Sequence, residues 1–174
     1  MNPTEPSMQR VARKHRRRGV VAVEAAVTLP LLMILMLGIW EVGRMIQVTQ
    51  ILTNAAREGA RLAGSGYVSG TPITSTMVQQ SVRDYMQASG LPTTAVNGAT
   101  VSLTCLASPS WTDPSSALPL DKFSVNVTIP SGSAFNSLRW NLFSRITSIS
   151  QLSATVNWQS MNDTQISVST TLPY

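Results

Sequence analysis

The apolar positions of this chain change period twice. From Val20 to Trp40 the residues read VVAVEAAVTLPLLMILMLGIW, 21 positions with one ionisable side chain, Glu24. No polar face interrupts the run, which is the pattern of a helix surrounded by apolar material on all sides. At 1.5 Å per residue it spans roughly 30 Å, the thickness of a bilayer's hydrocarbon core. Pro30 lies inside it. A membrane helix takes such a proline with a kink, whereas a soluble helix interior would lose about 3 kcal/mol. A secretory signal peptide would have a shorter apolar region, about 7–15 residues, ending in small residues. This run is longer and closes on Ile39-Trp40-Glu41. It reads as a retained transmembrane segment over residues 20–42, with Trp40 placed as an interfacial anchor.

The helical period then continues in amphipathic form. No proline occurs from Glu41 to Ala63, and Met45, Val48, Leu52, Ala55, Gly59 and Leu62 recur at alternating steps of three and four. That is an apolar stripe on one helical face, so residues 43–64 extend the same helix until Gly64-Ser65-Gly66 ends it. The stripe has two uses: packing on the chain's own domain, or a seam with neighbouring subunits. Ala55, Ala56, Gly59, Ala60 and Ala63 would let backbones approach closely in the second case.

Residues 65–174 change to short elements. Thr76 to Ala88 places Val78, Val82, Tyr85 and Met86 on one helical face. Ala99 to Ala107 alternates Val101, Leu103 and Cys105 with Thr100, Ser102 and Thr104, the pattern of a half-buried strand with Cys105 as a small buried hydrophobe. Residues 108–121 read as a loop. Phe123, Val125, Val127 and Ile129 mark a second strand, stopped by Pro130. Ala134 to Ile146 fits a helix with Phe135, Leu138, Leu142 and Ile146 inward, and Leu152 to Trp158 and Ile166 to Leu172 fit two more strands around Asn162-Asp163. The expected fold is α+β, a long N-terminal transmembrane helix packed on a small antiparallel-sheet domain.

Charge sharpens the topology. The formal net charge is +5 and the pI lies near 10. Residues 1–18 alone hold Arg10, Arg13, Lys14, Arg16, Arg17 and Arg18 against Glu5, and the remainder balances seven basic with seven acidic residues. The basic flank keeps the N-terminus in the cytoplasm and sends the C-terminal domain across, with Arg16, Arg17 and Arg18 nearest the span. The chain divides into a basic cytoplasmic leader (1–19), the transmembrane segment (20–42), the helix continuation (43–64) and a domain of about 110 residues (65–174). A nucleic-acid role for the basic run is the poorer reading, because topology explains it and no aromatic residue interleaves it.

Little chemistry is available. The single His15 sits in the leader, so a Ser-His-Asp arrangement beyond the membrane is excluded. One cysteine forms no internal disulfide, and Cys105 with His15 makes no metal site of familiar spacing. After Gly64 the acids are Asp84, Asp113, Asp121 and Asp163, unclustered, and no phosphate-binding glycine loop occurs. The expectation is a protein without catalysis, cofactor or small-molecule substrate.

Glu24 is the exception to the apolar rule. A carboxylate inside a membrane helix is costly and marks a function or a specific partner. Near the membrane edge it also reaches the interface, and the first helical turn favours it electrostatically. Physics alone leaves both readings open.

The stretch Arg18-Gly19-Val20-Val21-Ala22-Val23-Glu24, followed by the apolar run, resembles the processing site of type IV pilin-like precursors. More specifically the segment resembles the TadE-like pseudopilins of the tight-adherence (Flp) pilus machinery. The likeness runs through Leu29-Pro30, then Glu41, Gly43 and Arg44, and ends in Asn54-Ala55-Ala56-Arg57-Glu58-Gly59-Ala60-Arg61. It implies cleavage between Gly19 and Val20 by a membrane-embedded prepilin peptidase. It further implies that Glu24, then at the fifth position, neutralises the α-amino group of a neighbouring subunit. One position departs from it: Flp-type sites carry an aromatic residue after the glutamate, and this chain has Ala25. The implied function is a minor pilin or pseudopilin anchored in the bacterial inner membrane, with a periplasmic domain of pilin-like build. Other pilins or pseudopilins of the Tad machinery would be its partners. The alternative is a membrane-tethered periplasmic binding or scaffold protein that is not processed.

Overall fold

The structure is a computed structural model that describes the backbone of residues 8–138 and 151–162, with side chains from Gly19 onward. It divides into two units between Gly43 and Arg44. A helix α1, Met8–Ser65, contributes to both.

In the first unit α1 is a single run through Pro30, with no break at that residue. Proline lacks an N–H, so the carbonyl four residues earlier loses its usual partner. That carbonyl belongs to Ala26; the hydroxyl of Thr28 donates nearby to Glu24 O at 3.0 Å. From Val20 to Ile39 the residues are exposed except Leu37 and Gly38, which are half-buried, and the exposed large hydrophobic ones lie 55 to 75 % bare. An apolar surface this long, uncovered by the protein, is compatible with water only at prohibitive cost. One helix near the N-terminus is therefore long and apolar enough to cross a membrane once.

In the second unit the end of α1 joins an α+β domain. A hairpin of β1 (Tyr67–Val68) and β2 (Thr71–Pro72) follows, then α2 (Ser75–Ala88), α3 (Thr93–Gly98), β3 (Thr100–Cys105), β4 (Lys122–Ile129), α4 (Ser133–Asn136) and β5 (Leu152–Gln159). The main sheet is antiparallel in the order β3-β4-β5. Val101, Leu103 and Cys105 stand opposite Val127, Val125 and Phe123, which in turn face Ala154, Val156 and Trp158. Because side chains alternate along a strand, that register gathers every apolar residue on one face and leaves Ser, Thr, Asn, Gln and Lys122 on the other. Phe123, Val125, Val127 and Ile129 on the central strand are fully buried.

The stripe on α1 packs into this same core. Val48, Leu52, Ala55, Ala56 and Ala60 are fully buried and Ala63 nearly so, with Met45 and Leu62 half-buried at the margin. Of the two uses of the stripe, the structure shows packing on the chain's own domain. Helix α2 covers the neighbouring ground with Val78, Val82 and Met86 buried and Tyr85 only half-buried. Thr74 caps it, accepting from the Met77 N–H, and the Asp113 carboxylate accepts from the Ser75 N–H at 2.8 Å.

Several expectations are corrected. The helix expected over Ala134 to Ile146 is α4, which ends at Asn136. At that end the Ser137 hydroxyl donates to Ala134 O at 2.7 Å, and the Leu138 N–H turns back to Phe135 O at 3.1 Å in a tighter, 3-10-type turn. Phe135 and Leu138 are buried as expected; Leu142 and Ile146 lie outside the described residues. Cys105 is half-buried rather than buried, at the end of a strand whose cover thins from Val101 outward, and its thiol contacts the Ala107 backbone. The 108–121 loop contains a turn of 3-10 helix, Pro114–Ser116, with Pro114 and Ala117 buried. The expected strand Ile166 to Leu172 lies outside the described residues.

The end of α1 is fastened to the chain that follows β5. The Met161 N–H donates to Gly64 O at 2.7 Å, and the Asn162 amide donates to Ser115 O and Ala117 O. A Cβ on Gly64 would meet the Trp158 indole at 2.9 Å, so the helix end and β5 touch without room for a side chain.

Candidate functional site

The residues singled out in the sequence fall into two groups with opposite environments. Gly19, Val20, Glu24, Leu29 and Pro30 lie on the exposed part of α1 in the first unit. A Cβ placed on Gly19 meets nothing within 4 Å, and the same holds for Gly43. Glycine inside a helix costs about 1 kcal/mol relative to alanine. Among the described residues, nothing packs where a side chain at position 19 would stand.

The second group is the string Asn54 to Arg61, which the helix splits by face. Ala55, Ala56, Gly59 and Ala60 are buried, while Asn54, Arg57 and Arg61 are exposed. Gly59 is the tightest point: a Cβ there would come within 2.5 Å of Val82 Cγ2 on α2, 3.5 Å of Val78 Cγ1 and 3.7 Å of Val125 Cγ1 on β4. This close approach of α1, α2 and β4 was not legible in the sequence, because its partners lie far along the chain. The polar half of the string holds one ion pair. Arg61 donates through Nη2 to Glu58 Oε1 at 2.6 Å and through Nε to Oε2 at 3.0 Å. Such two-pronged pairing fixes the guanidinium geometry but contributes little to stability on an exposed surface. Further up the helix, Arg44 donates to Gln47 at 3.2 Å, and Glu41 is half-buried.

The hydrogen bonds from Arg61 hold the Glu58 carboxyl below its ordinary value of 4.5, outweighing the opposing effect of burial, and the guanidinium's positive charge adds in the same downward direction. A carboxyl depressed in the folded state contributes stability above its unfolded pKa and loses it as pH falls through the folded value. Glu58→Gln is accordingly expected to flatten the fall in thermal midpoint below pH 4.5, without changing the midpoint's dependence on pH between 6 and 8. Parallel melting curves of the two proteins across that range check it.

Comparison with known families bears on both groups. The family model described as TadE-like protein matches residues 19–61, beginning at Gly19 and ending at Arg61. Residues 19–61 are similar to the TadE-like family. The matched stretch joins the exposed apolar helix to the motif string, and both ends fall on residues singled out from the sequence. The matched stretch and the exposed apolar helix fit a Tad-associated pilin-like protein. The match takes in about a quarter of the chain and leaves residues 65–174 outside it. Neither curated proteins nor solved structures yield a match. Among the described residues, His, Cys, Asp and Glu form no group of three that could hold a metal ion.

Proposed function

We propose that the chain is a minor pilin or pseudopilin of Tad pilus assembly, made as a precursor and cut between Gly19 and Val20 by a prepilin peptidase. The observation that carries this reading is the glycine at 19, at the first residue of the TadE-like match and with no neighbour among the described residues to require it. A peptidase that must approach the backbone closely supplies the missing reason. Arg16, Arg17 and Arg18 hold the leader on the cytoplasmic side of the inner membrane, and the domain from residue 65 lies in the periplasm.

Cleavage creates an α-amino group on Val20, and Glu24 follows it by about one helical turn. Two charges in hydrocarbon are each expensive to bury, and an ammonium beside a carboxylate relieves both. In an assembly the amine of one subunit meets Glu24 of its neighbour, so insertion of a processed subunit is favoured at that place. The inward half of the 54–61 motif holds the domain on its helix, and Asn54, Arg57 and Arg61 remain outward for the other pilins or pseudopilins.

Glu24→Ala separates the two steps. Expected is a normally cleaved protein whose co-purification with other Tad components falls at least about tenfold, the scale of one unpaired charge in a low-dielectric site. Cleaved protein that assembles at the unaltered level would remove the amine-neutralising role.

A further inference from the structure

Bare hydrophobic side chains gather at one end of the second unit. Among the described residues from Arg44 onward, eight large hydrophobic side chains are exposed. Ile46 and Met77 stand apart, on α1 and α2. The other six, Tyr67, Val68, Leu106, Leu118, Leu120 and Met161, are 46 to 72 % exposed. Backbone hydrogen bonds bring the segments that carry them together at the end of α1. The Leu120 N–H donates to Ser160 O at 2.8 Å, and the next residue, Met161, donates its N–H to Gly64 O at 2.7 Å. The Leu106 N–H donates to Lys122 O at 2.8 Å, and the Asn162 side chain lies against Gly66, from which the Tyr67–Val68 hairpin leads off. Scattered apolar residues on a surface need no explanation, but a gathered group does. Leu120 adds a second observation. It is the most exposed of the six, and its φ of 69° is a left-handed conformation that leucine rarely adopts. Strain of this kind persists where a contact uses what the backbone displays.

We infer that residues 163–174, which lie outside the described residues, cover this patch in the same chain. The described part of the chain ends at Asn162, whose amide donates to Ser115 O and Ala117 O beside Leu118, so the segment starts at the rim of the patch. Ile166 follows four residues on, within about 14 Å of chain. The segment's sequence supplies a matching surface. Ile166, Val168 and Leu172 alternate with Ser167, Ser169 and Thr171, so an extended path offers apolar side chains on one side and hydroxyls on the other. No Asp, Glu, Lys, Arg or His follows Asp163 in it, and contact with the patch therefore strands no charge away from water. A tether this short holds the segment at a local concentration on the order of millimolar, which favours its own domain over a second copy or a free partner. The cover keeps this end of the domain from pairing with other apolar surfaces. The inference rests neither on cleavage after Gly19 nor on a Tad partner.

Two methionines of the domain test it in the full, unaltered chain, reconstituted in lipid nanodiscs and treated with hydrogen peroxide. With the patch bare, Met161 is more exposed than Met77 and is oxidised to the sulfoxide faster. With the patch covered, Met161 should be oxidised at least about fivefold more slowly than Met77, as for a surface open no more than about a fifth of the time. Peptide mass spectrometry reads both sites in one sample. Ile166→Asp, Val168→Asp and Leu172→Asp together should return Met161 to the faster rate and leave Met77 unchanged. In a second measurement, a photo-crosslinking benzoylphenylalanine in place of Leu120 should join to a peptide within residues 163–174 of the same chain, at a yield unaffected by dilution. Oxidation of Met161 as fast as that of Met77, or faster, in the unaltered chain overturns the inference. So does a crosslink from position 120 to lipid, or one to a second chain whose yield falls on dilution, since each assigns the patch to another occupant.

Discussion

Replacing Gly59 by valine is expected to destabilise the domain by about 3 kcal/mol. Even a lone Cβ at this position would stand 2.5 Å from Val82 Cγ2, against the 3.5 to 4.0 Å of an ordinary carbon–carbon contact. Val82 offers little relief, because a β-branched side chain in a helix has one strongly preferred rotamer and this one is fully buried. α1 and α2 must therefore separate by about an ångström, loosening contacts with Val78 and Val125 as well. Alanine is a poorer probe, since its gain in helix propensity of about 1 kcal/mol offsets part of the clash. Gly43→Ala is the matched control: its Cβ meets nothing, so the sign reverses and stability holds or rises. Urea unfolding of the full chain in detergent, followed by tryptophan fluorescence, checks both. An unchanged midpoint for Gly59→Val would mean that α1 and α2 do not meet there.

Phe123→Ala should be costlier still, about 3 to 5 kcal/mol. The ring is fully buried on the central strand β4 and meets Trp111 edge-to-face, with centroids 5.7 Å apart. Its loss empties the centre of the sheet's apolar face and leaves Trp111 without its ring partner. Since a small domain has only about 5 to 15 kcal/mol in hand, most of the margin disappears. The expected result is a broadened unfolding transition or, at 37 °C, rapid proteolysis of the domain. Lys122→Ala, next in sequence but on the opposite, exposed face, should shift the transition by no more than about 0.5 kcal/mol.

Where apolar residues kept a sustained period, the fold was legible before the structure. The run from Val20 to Trp40 and the stripe from Met45 to Leu62 marked the α1 path, and alternation through Phe123, Val125, Val127 and Ile129 marked β4. Short elements escaped for definite reasons. α3, Thr93–Gly98, has six residues, too few to show a period. The β1–β2 hairpin turns through Ser69 and Gly70, both at positive φ, and the Ser-Gly pair was a turn signal left unused. The helix expected from Ala134 is seen as α4 as far as Asn136, and its continuation through Leu142 and Ile146 lies outside the described residues.

The candidate site divides in the same way. Gly59 looked like one more small residue on a stripe; its role as the contact point of α1, α2 and β4 needed coordinates, since Val78, Val82 and Val125 are distant in sequence. At Gly19 the reverse holds. Among the described residues nothing stands where a side chain would collide, and the interest of the position comes from resemblance and from Glu24 five residues on. A residue whose reason lies in an external partner leaves no mark on the packing of its own chain.

The most direct test is the intact mass of the protein purified from cells that contain a prepilin peptidase, beside cells that lack it. The account predicts a species beginning at Val20, shorter by residues 1–19, only where the peptidase is present, and a full-length chain in both cells for Gly19→Val. A mature N-terminus that stays upstream of Gly19 in both cells, or cleavage elsewhere, would contradict it.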